Sequence, residues 1–186
     1  MNGPRVPKGN VAMVGKKTSC ALVLLAFALS CAPASVIAVQ VVQDDDAHDE
    51  VRSSSLVVEG SLLDYFFESG HIVTNTPPAI SSGKDDSALL KKSMAQAKSG
   101  GCDLFIAVQV CYQRGNTSSP EANLLSVIKQ ISWTVYRIST GEEIASGKKS
   151  PGTVSPARDS ERGIIAFAGE VAATINQSLK AGGKRT

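Results

Sequence analysis

The chain is poor in the residues on which chemistry at neutral pH usually rests. It holds two histidines, His48 and His71, and one tryptophan among 186 residues, and aromatic side chains make up 5% of it. A histidine-based nucleophile or a multi-histidine metal centre has almost nothing to be built from. No G-x-S-x-G elbow accompanies His71, which argues against a Ser-His-Asp hydrolase. Ser81-Ser82-Gly83-Lys84 has a Gly-Lys pair but neither the spacing nor the preceding buried strand of a phosphate loop. His48 lies beside Asp49 and after Asp44-Asp45-Asp46, in a stretch with no rigid frame, and His71 follows a helix stop as a surface or capping residue. The reading is that there is no catalytic residue, no metal and no cofactor, and that the protein is not an enzyme.

Positive charge is scarce where a polyanion would need it. Four of the nineteen basic residues (Arg5, Lys8, Lys16, Lys17) precede an apolar run from Cys20 to Val42, and all seventeen acidic residues follow it. Fifteen basic against seventeen acidic residues remain after the run, a net charge of −2 with no basic patch. Nucleic acid is thereby excluded as a partner. Cysteine is scarce as well. Cys20 and Cys31 fall in the apolar run, while Cys102 and Cys111 flank one apolar strand. At about 3.3 Å per residue the latter two stand roughly 30 Å apart, beyond disulfide reach, and their odd spacing places them on opposite faces. Two unpaired thiols are expected.

What the chain does have is an export signal. Lys16-Lys17, the apolar run, small residues and then an acidic exit follow the order of a secretory leader, and the charge asymmetry holds the lysines on the cytoplasmic side. Met13 is the more ordinary start of such a leader than Met1. Three fates are open at its end. Small residues suit cleavage before Ser35 (Ala32, Ala34) or before Val39 (Val36, Ala38). Phe27-Ala28-Leu29-Ser30-Cys31 is a relaxed lipobox that makes Cys31 the lipidation candidate, with Ala28 where the strict pattern has Leu. The run is also about 20 residues long, enough to stay in a bilayer as an anchor. The expected organisation is an export signal over 1–38, ending at Cys31 if the chain is a lipoprotein, then an acidic flexible tether over 39–54. An α/β domain over 55–181 and a frayed basic tail over 182–186 complete it.

Within the domain, Leu56-Val57-Val58 reads as a strand, and Ser61-Leu62-Leu63-Asp64 as a capping box opening a helix that stops at Gly70. His71 to Thr74 is a second strand ended by Pro77-Pro78, and Ala88 to Ser99 a second helix. Leu104 to Tyr112 is nearly all apolar and reads as a central strand covered on both faces. The next strand alternates, with Ile131, Trp133 and Val135 inward and Gln130, Ser132, Thr134 and Tyr136 on a wetter face. A turn at Ser139-Thr140-Gly141-Glu142 returns the chain as strand Glu143 to Gly147. Ser155-Pro156 then caps a last helix, running to about Lys180, that buries Ile164, Ala168, Val171, Ile175 and Leu179. The order is β-α-β-α-β-β-β-α: an α/β fold, one mixed sheet with helices packed on it.

Three segments carry a resemblance. They are the helix end Ser69-Gly70 with strand His71-Ile72-Val73; Ser99-Gly100-Gly101-Cys102-Asp103-Leu104-Phe105-Ile106; and Ser132 to Arg137 running into Thr140-Gly141-Glu142. Together with the closing helix, over roughly residues 56–180, they resemble exported proteins with the fold of the TolB N-terminal domain. That group includes the LpoB-type lipoprotein activators of penicillin-binding proteins and the curli secretion-channel subunit. No stretch matches the curli channel's membrane-spanning hairpins. The resemblance implies a periplasmic or outer-membrane-associated accessory or adaptor domain that binds an envelope protein and has no enzyme site. A binder of a small envelope ligand is the alternative, and a hydrolase a distant third. Tyr136, Arg137 and, more weakly, Tyr65 are the candidate partner contacts, tyrosine being favoured at interfaces.

Overall fold

The computed structural model describes Gly3, residues 34–83 and residues 85–182. Lys16, Lys17, Cys20, the lipidation candidate Cys31 and residues 183–186 of the basic tail lie outside the described residues, while Gly182 closes the last helix. Val36-Ile37-Ala38-Val39-Gln40-Val41-Val42 is the most apolar stretch of the described chain, and it forms strand β1 (Val36–Asp44), buried along nearly its whole length. Such a run suits a strand with a neighbour on each side and cover on both faces. β1 pairs in parallel with β2 (Ile72–Ile80) on one side and with β3 (Leu104–Tyr112) on the other. β4 (Ile128–Arg137) runs antiparallel to β3, and β5 (Glu142–Lys149) antiparallel to β4, giving the sheet order β2-β1-β3-β4-β5. The helices are α1 (Ser53–Glu68), α2 (Ser87–Ser99) and α3 (Glu161–Gly182).

The mixed sheet and the order β-α-β-α-β-β-β-α are as the sequence implies, but the first strand is a different one. Residues 39–54 are not a tether. They supply most of β1 and a short acidic connection into α1, and the domain begins about twenty residues earlier than expected. Leu56-Val57-Val58 lies inside α1 rather than in a strand, and Ser61 caps nothing: its hydroxyl donates to the Val57 carbonyl at 2.7 Å, one turn back. Pro77-Pro78 does not end β2, which continues to Ile80. β2 is an edge strand, where a missing N–H costs nothing, and the register shifts between Gln40 and Val42 beside the prolines. α3 begins at Glu161, because residues 155–160 are turns whose Asp159 carboxylate accepts bonds from the Ser126 backbone N–H and hydroxyl, both at 2.8 Å.

Alternation divides the sheet into two faces. One carries Ile37, Val39, Val41, Ile106, Val108, Val110, Ile131, Trp133 and Val135, and packs under α1 and α3 as the main core. Ile164, Ala168, Val171 and Ile175 of α3 are all fully buried there, as their spacing implies. Trp133 lies among them over Gly147, its cross-strand neighbour, where a Cβ would come within 2.5 Å of the indole. The other face carries a smaller cluster, Ala38, Phe105, Ala107 and Ile138 with Ala97 of α2. Cys102 belongs to that cluster, and Cys111 is on the same face of β3. The two thiols therefore do not face opposite sides, since Cys102 precedes the strand and escapes its alternation. Both are free.

The acidic connection is fastened by a buried polar knot. Arg52 is fully buried and ion-pairs through Nε with the equally buried Asp45 carboxylate. Its guanidinium lies 4.9 Å from the centre of the Tyr112 ring, and Nη1 donates to the carbonyls of Ser118 and Ser119. The Tyr112 hydroxyl is held by Ser54 and Ser55 at 2.7 and 2.8 Å, and Ser55 donates to Gln43 Oε1 at 2.9 Å. Burial raises the Tyr112 phenol above its ordinary value, partly offset by those serine bonds and by Arg52.

Candidate functional site

The face under α2 changes character along the strands. Register aligns its side chains in rows: Ala38–Phe105–Tyr136, then Gln40–Ala107–Thr134, then Val42–Gln109–Ser132, then Asp44–Cys111–Gln130. The first row is apolar and seats the C-terminal half of α2. The next rows gain amides, hydroxyls and a carboxylate. α2 is a light roof, burying only Ser93 and Ala97, whereas α1 buries six residues. The polar end of the face is therefore only partly covered.

A groove of about 170 Å³ opens there, between Asp86 and Leu90 at the start of α2 and Gln109, Ser132, Thr134 and Tyr136 of the sheet. Gln109 spans it, donating toward Asp44 Oδ2 and accepting from the Ser132 hydroxyl, each at 3.5 Å. Asp86 is engaged by the Ser81 hydroxyl at 2.7 Å and the Ser82 N–H at 3.0 Å. Gln40 is buried; its Nε2 donates to the Pro77 carbonyl at 3.2 Å, while its Oε1 finds no partner among the described residues. Burial and the neighbouring Asp44 carboxylate push the Cys111 thiol up to about 11, so it is a poor nucleophile at neutral pH. A second groove, about 330 Å³, runs along the other flank of α2, between Lys91, Met94 and Lys98 and the β4–β5 turn at Ile138 to Gly141.

The expected contact residues are not gathered into one patch. Tyr136 lines the first groove and packs against Phe105, ring centres 6.4 Å apart. Arg137, next along β4, is exposed and points to the opposite face of the sheet. Tyr65 lies on α1, in the other layer, half-buried edge-on to Phe66. The histidines serve structure: His48 Nε2 donates to the Ser118 carbonyl at 3.1 Å, and His71 Nε2 to Asn176 Oδ1 at 3.4 Å. No three His, Cys, Asp or Glu side chains are grouped to hold a metal among the described residues, and no helix there is long and apolar enough to cross a membrane. Gln40 and Gln109 escaped the sequence reading, although each interrupts an apolar strand in phase with the wet residues of β4, which is the signal that would have found them.

A family model described as "Uncharacterised protein" matches residues 36–180. The chain belongs to that family. Its matched span opens on the first residue of β1 and closes within α3, so it takes in the strand that the sequence reading had given to leader and tether. No curated protein matches the chain. Among solved structures, the chain is similar to the PelC dodecamer from Paraburkholderia phytofirmans, with 15% identity over 80% of this chain and 91% of that one, at a TM-score of 0.44. It is similar to TolB from Acinetobacter baumannii, with 14% identity over 80% of this chain and 29% of that one, at 0.42. It is also similar to the LpoB C-terminal domain from Salmonella enterica, with 13% identity over 68% and 90%, at 0.35. The TolB and LpoB resemblance stated from the sequence thus recurs in the structure comparison.

Proposed function

We propose that this is an exported accessory or adaptor domain of the cell envelope, which binds a protein partner and turns over no substrate. The observation that carries the reading is the half-roofed sheet face. A cluster of one amide and two hydroxyls (Gln109, Ser132, Thr134) from two neighbouring rows, with Tyr136 beside it, lies open next to a helix that buries only two residues. Polar side chains on a rigid sheet, with an aromatic at the margin, suit a protein surface better than a reaction centre. The alternative, a small envelope ligand, is favoured by the groove between α2 and the β4–β5 turn. At about 330 Å³ it reaches the usual size of ligand sites.

The export reading rests on the leader, and the position of β1 supports one end for it over another. We assign any cleavage to Ser35 or upstream, including Cys31, because a cut before Val39 would take Val36, Ile37 and Ala38 out of the middle of the sheet. Capture from envelope extracts tests the adaptor reading. Thr134→Arg, which fills the open face, is expected to abolish capture of the partner that the wild type retains, with an unchanged melt. Tyr136→Ala and Arg137→Ala test the two neighbouring candidates, and Tyr65→Ala the weaker one on the other layer. Capture unaffected by any of the four would place the partner surface elsewhere, and a turnover abolished by His71→Ala would overturn the non-enzymatic reading.

A further inference from the structure

We propose that the end of the domain where β1 begins is seated on a lipid surface, with Phe67 and Ile72 as the side chains that enter it. The proposal rests on the export reading and adds to it where, and how closely, the domain meets the membrane.

The geometry starts from the strand. Val36, the first residue of β1, pairs with Ile72, the first of β2, and its N–H donates to the Asp103 carboxylate at 2.9 Å; the Ile72 N–H donates to the Ser35 carbonyl at 3.1 Å. Phe67 stands in the last turn of α1, tied to this corner by the bond from the Gly70 N–H to its carbonyl at 2.9 Å. Gly70, at φ +88°, makes the turn between them. Phe67 is 69% exposed and Ile72 59%, the two most exposed large apolar side chains among the described residues. Both stand at the end of the domain where β1 begins, Phe67 on the α1 layer and Ile72 on the α2 side of the sheet's edge, and two such residues facing water at one end call for a cover.

Chain continuity says what covers them. The apolar run continues without a break into β1, so no spacer separates leader from fold. Cys31 precedes Val36 by five residue steps, which fully extended reach at most about 18 Å. An acyl chain on Cys31, or the retained run itself, would hold this corner against the headgroups rather than offer it to the aqueous space. Charge contributes little, because Lys98, Arg137 and Lys180 at this end are offset by Glu68, Asp103 and Glu142. The contact is apolar, and anionic lipid is not required. The opposite end has exposed apolar residues of its own, Leu56 at 49% and Ile165 at 46%, near the starts of α1 and α3. No leader joins there, which makes that end the internal control.

The test uses the full chain, purified from the envelope of expressing cells and reconstituted in vesicles of phosphatidylcholine with brominated acyl chains. Tryptophan is introduced singly as Phe67→Trp, Ile72→Trp or Ile165→Trp, and the emission of the parent chain, whose one tryptophan is the buried Trp133, is subtracted. Tryptophan at 67 or 72 is expected to lose roughly half its emission, since interfacial side chains reach about 5–10 Å into the headgroup and acyl boundary. Tryptophan at 165 is expected to lose none. Equal quenching at all three positions, or none at 67 and 72, overturns the seating. Intact mass of the same preparation separates the two readings: a processed or acylated chain that is not quenched refutes the seating alone, and a chain found only in the cytoplasm with its leader uncut refutes both.

Discussion

Replacing Arg52 by methionine removes one half of a fully buried ion pair, and the outcome follows from what is left behind. Asp45 would keep its carboxylate in the same buried place without its cation. The carbonyls of Ser118 and Ser119 would each lose one of two donors, and the Tyr112 ring its guanidinium. Breaking a buried pair from one side costs about 3–5 kcal/mol, mostly through the stranded charge. For a domain of this size each kcal/mol moves the melting temperature by about 2–4 °C, so Arg52→Met is expected to melt about 6–20 °C below the wild type. Set against a typical total stability of about 5–15 kcal/mol, that is a large fraction. The double variant Asp45→Leu/Arg52→Met leaves no charge stranded and is expected to recover most of the loss, because an apolar replacement of similar volume removes the desolvation cost together with the attraction. Urea melts of all three proteins, with the Asp45→Leu single variant closing the cycle, measure the coupling directly. Arg52→Met within about 1 kcal/mol of wild type, or a double variant no better than the single, would show that the acidic connection is held by something other than this pair.

Gly147→Ala places a Cβ within 2.5 Å of the Trp133 ring, so it is expected to cost about 1–3 kcal/mol by overpacking and to shift the tryptophan emission to the red; a wild-type melt and spectrum would mean that the ring does not lie over β5. Trp133→Ala, which empties the same place, is expected to cost about 3–5 kcal/mol in the same melts. Cys111 titrates near 11 in the fold against an ordinary 9.0, so the unfolded thiol ionises first, and stability is expected to fall as pH rises from about 9 to about 11, with no contribution below that window. Cys111→Ala should flatten that part of the pH profile, and the folded wild type should react slowly with iodoacetamide at neutral pH. A chain starting at Ser35 is expected to unfold cooperatively, whereas one starting at Val39 lacks the buried Ile37 and Ala38 and should give no cooperative melt by circular dichroism.

The fold was legible where local pattern and tertiary surroundings agree. β3 is apolar but for Gln109 because most of it is covered on both faces, β4 alternates because it is covered well on only one, and α3 carries its buried residues at helical spacing. It was illegible where they disagree. Leu56-Val57-Val58 before Gly60 has the composition of a strand, but Ser54 and Ser55 beneath it bond to Tyr112 and Gln43, and those partners come from β3 and β1. No local window contains them. Arg52 has the same difficulty in sharper form: an arginine in a run of Asp, Glu and Ser reads as a solvated charge until the fold buries it against Asp45. Of the candidate site, Tyr136 and the wet residues of β4 were legible by alternation. Gln109 was not, because its importance comes from lying in register with Ser132 and Val42.

The deepest ambiguity lies in residues 36–42, which satisfy two readers at once. An export signal needs a stretch of apolar and small residues ahead of an acidic exit, and a central parallel strand needs apolar residues followed by a turn. Val36 to Val42, followed by Asp44-Asp45-Asp46, meets both specifications, and composition does not separate them. What separates them is pairing. Asp103 accepts the Val36 N–H and donates its own N–H to the Val36 carbonyl at 2.8 Å, so the Gly-Gly-x-Asp entry to β3 fixes the first residue of β1. The motif that carried the family resemblance therefore has a physical task, holding the start of a strand nearly seventy residues earlier. On the export reading proposed above, that task sets a limit on the leader: cleavage or lipidation has to act upstream of Val36, Asp103's partner, and the membrane-side end proposed for the domain is the one where its central strand begins.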